Sequence, residues 1–311
     1  MTGPARSVTW ETPSRAAKEA NLSRPAVYGL LAFAIVVLGL NWPIMVTGLK
    51  SITPIWLGFF RVTGAAVFVL FMTAFTGNLV RPQRQDIPMI ITISIFRLSA
   101  VMVLVFFALK LVPAGRASVL VWTSSLWTVP IAAVFLGEKI TGRKWVGLVL
   151  GVVGVFIISQ IWTNDWGDTD VLAGMGLLLL AALVSAGSSV YIRGHQWTID
   201  PMQALPWQLM LGAVLLGGLG LIVDGVPDID WTPTLGWVIA YQAIPASGLA
   251  FWSQIVVLRN NPAVSTNLSM MGVPVLGVLS SAIFLDERIT LGLTIGIVLV
   301  FVGVSINLLS E

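Results

Sequence analysis

Cysteine is absent from this chain and histidine occurs once, at His195. Without thiols there is neither a disulfide framework nor a thiolate site. A lone histidine near the end of an apolar run also leaves no His/Asp/Glu constellation and no Ser–His pair for a catalytic centre. Charge is scarce as well: 10% of the 311 residues are charged, where a soluble domain carries about a quarter. Tyrosine is rare, with three against thirteen tryptophans. What fills the chain instead is apolar, 57% of it, which makes this an all-α polytopic membrane protein whose constant partner is the lipid bilayer. No basic face is free of membrane segments, so nucleic acid is not a partner. No cofactor or metal is expected.

Ten apolar segments follow one another, each near the ~20 residues needed to cross a bilayer. They are Ala26–Thr47, Pro54–Thr76, Ile87–Leu111, Ala114–Leu136, Arg143–Ile161, Val171–Arg193, Met202–Val223, Leu235–Leu258, Ala263–Leu285 and Leu291–Leu309. The runs are continuous rather than alternating, which excludes a transmembrane barrel. Short links rich in Pro, Gly, Asp and Asn leave no room for an inserted soluble domain. Residues 1–24 are polar and read as a cytoplasmic tail.

The heptapeptide Phe135-Leu-Gly-Glu-Lys-Ile-Thr141 returns as Phe284-Leu-Asp-Glu-Arg-Ile-Thr290, an offset of 287 − 138 = 149. The same register aligns Pro113-Ala114 with Pro262-Ala263, Gly147 with Gly296, and Val153-Gly154-Val155 with Val302-Gly303-Val304. An internal repeat decides the fold before other signals do. The halves are therefore expected at 25–162 and 163–311. This pattern, a proline-led apolar helix, the heptapeptide and a glycine-punctuated apolar helix, resembles the EamA-type branch of the drug/metabolite transporter superfamily. The resemblance spans both halves, and the layout is most similar to bacterial exporters of aromatic amino acids. One departure is that Pro130 precedes Glu138 by eight residues whereas Pro274 precedes Glu287 by thirteen, so the two helices need not bend at matching places.

Five spans per half is an odd number, so the second half enters the membrane from the opposite side, as in transporters that alternate access around a midplane site. Basic residues set the orientation. With the N-terminus inside, eleven lie on the inner side, from Arg6 to Arg259. Four lie outside: Lys50, Lys110, Arg116 and Arg288. Both termini are therefore expected in the cytoplasm, with the chain in the bacterial inner membrane.

Two basic residues fall within spans. Arg97 lies ten residues beyond Ile87, about 15 Å at helical rise and close to mid-depth. No Asp or Glu sits at that depth. Two readings are open: Arg97 bonds carbonyls freed by a helix break, or it meets a substrate carboxylate in a wet cavity. Arg61, nearer the outer end of its span, is expected to snorkel to the interface. Trp145, Trp162, Trp166, Trp197, Trp231 and Trp237 suit an interfacial belt, but Trp122 lies well inside a span. Ser118, Trp122 and Ser125 fall on one helical stripe, and the register-related stripe is Asn267, Met271 and Pro274. Such stripes serve either helix packing or an adaptable cavity wall. Other buried polar candidates are Asn41, Trp42, Ser94, Ser185, Ser188, Ser189, Tyr241, Ser247 and Trp252; the serines can equally bond their own i−4 carbonyls. Pro43, Pro130, Pro245 and Pro274 each remove a backbone donor in mid-span, so kinks or gates are expected there. Glu138 and Glu287 sit at loop level on opposite faces and are expected to stabilise the turn and the start of the following helix.

The resemblance implies export of small organic solutes. Arg97, Trp122 and uncharged hydroxyls suit neutral or aromatic amino acids. A multidrug or viologen-like cation exporter of the same superfamily is the alternative, weakened by the missing buried glutamate; a membrane-embedded enzyme is a different class with still less support. A path built within one chain calls for a monomer or weak dimer rather than an oligomeric channel. The missing mid-depth acids also argue for gradient-driven export over proton antiport.

Overall fold

The computed structural model describes residues 22–159, 169–195, 198–227 and 229–309. The tail through residue 21, the seam between the halves at 160–168, and Trp162, Trp166 and Trp197 lie outside the described residues. Among those described, ten helical rods run back and forth. They are α1 (Arg24–Gly48), α2 (Pro54–Phe75), α3 (Ile87–Ala108), α4 (Ala114–Leu136), α5 (Gly142–Ser159), α6 (Thr169–Gly194), α7 (Pro201–Val223), α8 (residues 233–260), α9 (residues 263–284) and α10 (Leu291–Leu308). Eight of them are long and apolar enough to cross a membrane, and α5 and α8 complete the set. The rods match the ten apolar segments to within a few residues. Consecutive rods reverse direction, so Glu138 marks one end of the bundle and Glu287 the other.

Lipid offers no hydrophobic drive for helix association, so close approach of backbones must supply it. The tightest pair is α5 with α10, and glycine makes it. A Cβ on Gly154 would sit 2.8 Å from the Gly296 carbonyl oxygen, and one on Gly296 would sit 2.9 Å from that of Gly154. Gly147 and Gly303 meet in the same way one end further along. Since 303 − 149 = 154 and 296 − 149 = 147, these contacts map onto each other, and the axis relating the two halves passes through this crossing. The exposed tryptophans Trp145, Trp231 and Trp237 stand at rod ends.

The repeated heptapeptide folds alike in both halves. Gly137 (φ 69°) and Asp286 (φ 55°) both adopt the left-handed conformation, which aspartate tolerates better than most residues. The next N–H bonds back over six residues at 3.5 Å in each copy, Glu138 to Ala132 and Glu287 to Ser281. The closing threonine caps the following helix. Thr141 Oγ1 accepts from the Lys144 N–H (3.4 Å) and Thr290 Oγ1 from that of Leu293 (3.2 Å).

The prolines act differently from one another. α1 runs unbroken through Pro43. The carbonyl that Pro43 leaves without an i+4 donor is Gly39, and Ser280 of α9 donates to it at 3.2 Å. Ser280→Ala is expected to destabilise the protein by about 1 kcal/mol by orphaning that carbonyl. Combined with Pro43→Ala, which restores the N–H, it is expected to do so much less; thermal melts of both variants in detergent give the coupling. Pro274 breaks α9 at Met271, next to the residue whose carbonyl it leaves unbonded. α4 breaks at Thr123, seven residues before Pro130. Trp122 and Met271 are register partners, so the breaks fall within one residue of each other. The helices thus interrupt at matching places although their prolines do not match. Pro245 opens a π-helical turn at Ile244–Leu249 in α8, and α3 carries its counterpart at Ile93–Ala100. At the common offset the second would map to 242–249, so these distortions are also shared. No proline explains the one in α3.

Candidate functional site

The two broken helices, α4 and α9, organise the site. Their Glu287-end segments, Ala114–Trp122 and Gly272–Phe284, pack directly on each other. Ser118 is enclosed there. Its hydroxyl lies 2.7 Å from the Gly115 carbonyl and 3.4 Å from that of Pro274, and Gly277 lies against it. Trp42 closes over Gly277 from α1, where Gly39 admits Leu276. Past the breaks the helices turn to different neighbours. Ser124–Leu136 leans on α6, while Ala263–Met270 lies against α1, α8 and α10. At the Glu287 end α1, α4 and α9 therefore pack together, with a pocket between Arg116 and Glu287, while at the Glu138 end the two broken segments part. Along each stripe the change is visible: Ser118 and Pro274 are buried, Trp122 and Met271 half-buried, Ser125 half-buried and its register partner Asn267 exposed.

Arg97 lies in the π-helical turn of α3 and donates to Ser189 Oγ on α6 at 2.9 Å. Ser189 in turn donates to the Ser185 carbonyl at 2.9 Å. By surface area Arg97 is exposed in the bundle, midway along α3. Among the described residues no carboxylate pairs with it. It bonds a hydroxyl rather than the backbone carbonyls that a helix break would free.

Arg61 corrects the sequence expectation. It does not reach the interface but is 8% exposed, with Nε donating to Ser247 Oγ at 2.9 Å in the π-helical turn of α8 and Nη1 3.7 Å from Met45 Sδ. Tyr241, on the same helix, donates to the Val37 carbonyl at 2.8 Å and so ties α8 to α1. Sequence position placed Arg61 shallow; packing of α8 over α2 covers it. Its mate on α8, Ser247, stood among the candidates, but no sequence signal pairs the two.

Several other candidates are structural in this conformation. Asn41 is buried and bonds Met45 Sδ at 2.9 Å. Ser94 joins α3 to α7 through the carbonyls of Ile90 (2.7 Å) and Gln208 (2.9 Å). Ser188 donates to its own i−4 carbonyl, Val184, at 2.7 Å. Ser185, Trp252 and Tyr241 remain half-buried. At the open end a small recess is lined by Ser125, Thr128, Glu138, Lys144, Arg193 and Asn307. Residues that can hold a metal ion do not cluster anywhere among the described residues.

A duplicated helical unit of membrane-spanning rods, two of them broken at matching places, is the architecture of a multi-pass membrane protein. The chain belongs to the EamA-like transporter family, which matches it twice, at residues 26–160 and 172–309. It is 26% identical over 298 residues to a probable amino-acid metabolite efflux pump of Escherichia coli (strain K12), covering 90% of this chain and 94% of the relative. It is 27% identical over 270 residues to the uncharacterized transporter YoaV of Bacillus subtilis (strain 168), covering 86% and 92%. A solved crystal structure, 19% identical, superposes with a TM-score of 0.64 over 91% of this chain and 96% of that one, a likeness of fold.

Proposed function

We propose that this transporter exports neutral and aromatic amino acids from the cytoplasm by alternating access, with the Glu138 end facing the cytoplasm and the Glu287 end outside. The observation that carries the substrate class is Arg97, an exposed mid-span cation with a hydroxyl partner and, among the described residues, no carboxylate. A zwitterion supplies the missing carboxylate, and its side chain meets Trp122 and Met271 at the two helix breaks. The relatives named as amino-acid metabolite efflux pumps support the same class. Alternating access is supported by the closure of α4 on α9 at one end only, since the inverted repeat allows the mirror arrangement at similar energy. Export is gradient-driven, because the described spans hold no mid-depth acid for a proton relay. Arg61 is the buried one of the two mid-span cations, and its bonds to Ser247 and Met45 assign it to holding α8 on α2.

The test is counterflow of labelled L-phenylalanine in proteoliposomes, with and without a pH gradient. Exchange that persists without the gradient supports the reading. Absolute dependence on the gradient overturns the facilitated mechanism, and transport of a viologen-type cation with no amino-acid exchange overturns the substrate class.

A further inference from the structure

The repeated glutamates differ in what they hold. Glu287 does not serve the helix that follows it. Its carboxylate reaches across to the other half, where Oε1 accepts from the Ala114 N–H at 2.7 Å and Oε2 from the Gly115 N–H at 2.9 Å. These are first-turn donors of α4 that helix geometry leaves without an intrahelical partner, and the positive end of the helix dipole adds to the attraction. The contact lies where α4 meets α9 and closes the Glu287 end. At offset 149 the related contact is Glu138 on the N–H groups of Ala263 and Val264, which begin α9. Glu138 instead forms ion pairs with Lys144 (4.0 Å) and Arg193 (3.6 Å). The backbone of the two heptapeptides is the same in φ sign and in its closing hydrogen bond. Loop geometry therefore does not account for the difference; the separation of α4 from α9 at the Glu138 end does.

We infer that Glu287 and Glu138 are alternate latches of the transport cycle: each caps the first turn of the broken helix from the opposite half when its own end is closed. Glu287 is docked and Glu138 is released in the conformation seen here. When the Glu138 end closes, Glu138 leaves Lys144 and Arg193 for the start of α9, and Glu287 lets go of α4. Glu138 lines the recess at its own end and Glu287 a pocket beside Arg116, each holding backbone or ion-pair partners rather than Arg97, so both are read as positioning residues. The inference rests on the alternating-access reading.

Because the chain has no cysteine, a single introduced thiol reports without background. Ser281 is fully buried beside Gly115 in the closed contact, so Ser281→Cys reacts with an impermeant maleimide only when the Glu287 end opens. Glu287→Gln is expected to raise its labelling rate from outside about tenfold, and Glu138→Gln to lower it about tenfold. General destabilisation would move both in one direction, so shifts of the same sign overturn the latch. So does labelling in the parent that neither variant changes, which leaves alternating access standing. Labelling absent in every background but present after unfolding overturns alternating access and the latch with it. If Glu287→Gln fails to fold, the slowed labelling in Glu138→Gln still decides.

Discussion

Valine at position 303 is expected to leave almost no folded transporter in the membrane. A Cβ on Gly303 would meet the carbonyl oxygen of Gly147 and lie 2.8 Å from the Gly151 backbone nitrogen and 3.1 Å from its Cα. These are backbone atoms of α5, which cannot rotate aside as a side chain can. The only relief is to push α10 off α5, at the crossing where the two halves are joined. Overpacking of a well-packed contact costs about 1–3 kcal/mol where side chains can adjust. Where they cannot, the cost is expected above ~4 kcal/mol, comparable to the whole stability of many proteins. Gly154→Val, the register-related change, is expected to do the same, since it meets the Gly296 carbonyl at 2.8 Å and the Val300 nitrogen at 2.9 Å. Gly218→Val is the control, because nothing lies within 4 Å of its Cβ position. Size-exclusion profiles of the three variants in detergent check the expectation. Monodisperse Gly303→Val at normal yield would show that the halves are held together elsewhere.

Arg97→Ala is expected to fold and to lose transport. Losing a charge-assisted hydrogen bond to a carboxylate removes about 1.5–3 kcal/mol of binding, roughly 10- to 100-fold in apparent affinity. Stability should not fall with it. A cation at mid-depth costs at least ~2.5–3.5 kcal/mol on insertion scales, and its bond to Ser189 offsets only part of that. Arg97→Lys keeps the charge but not the planar fork, so it is expected to fall between wild type and Ala. The measurements are the concentration dependence of phenylalanine uptake into everted vesicles and thermal melts of the same preparations. Uptake by Arg97→Ala with an unchanged apparent affinity would assign Arg97 to packing against α6.

The ten rods, their order and the duplicated plan were readable in the chain itself. Long uninterrupted apolar runs have one stable form in lipid, because every backbone group must be bonded within the segment. The repeat register was legible for the same reason that it matters physically: glycines at 147, 154, 296 and 303 are needed where two backbones touch. Thr141 and Thr290 likewise sit where a helix start needs an oxygen. Arg97 stood out because a charge at mid-depth has no cheap structural use.

What the chain alone misjudged were contacts between segments far apart in sequence. Arg61 looked shallow by counting residues along α2, but Ser247 of α8, 186 positions away, covers it. Ser118 belongs to the same stripe as Ser125, yet one is sealed and the other half-open, because α4 bends at Thr123 between them. Neither Pro130 nor Pro274 announces that the two breaks coincide. The role of Glu287 was beyond reach of local pattern, since its partners Ala114 and Gly115 lie in the other half.

Composition and periodicity determined the helices, their number and their twofold plan, because lipid leaves a chain of this kind few local choices. The tertiary structure alone decided where α4 packs on α9, which serines are buried and which glutamate holds the start of α4. The deciding contacts, such as that of Ser118 with the Pro274 carbonyl, join segments of different halves, which no local pattern foretells.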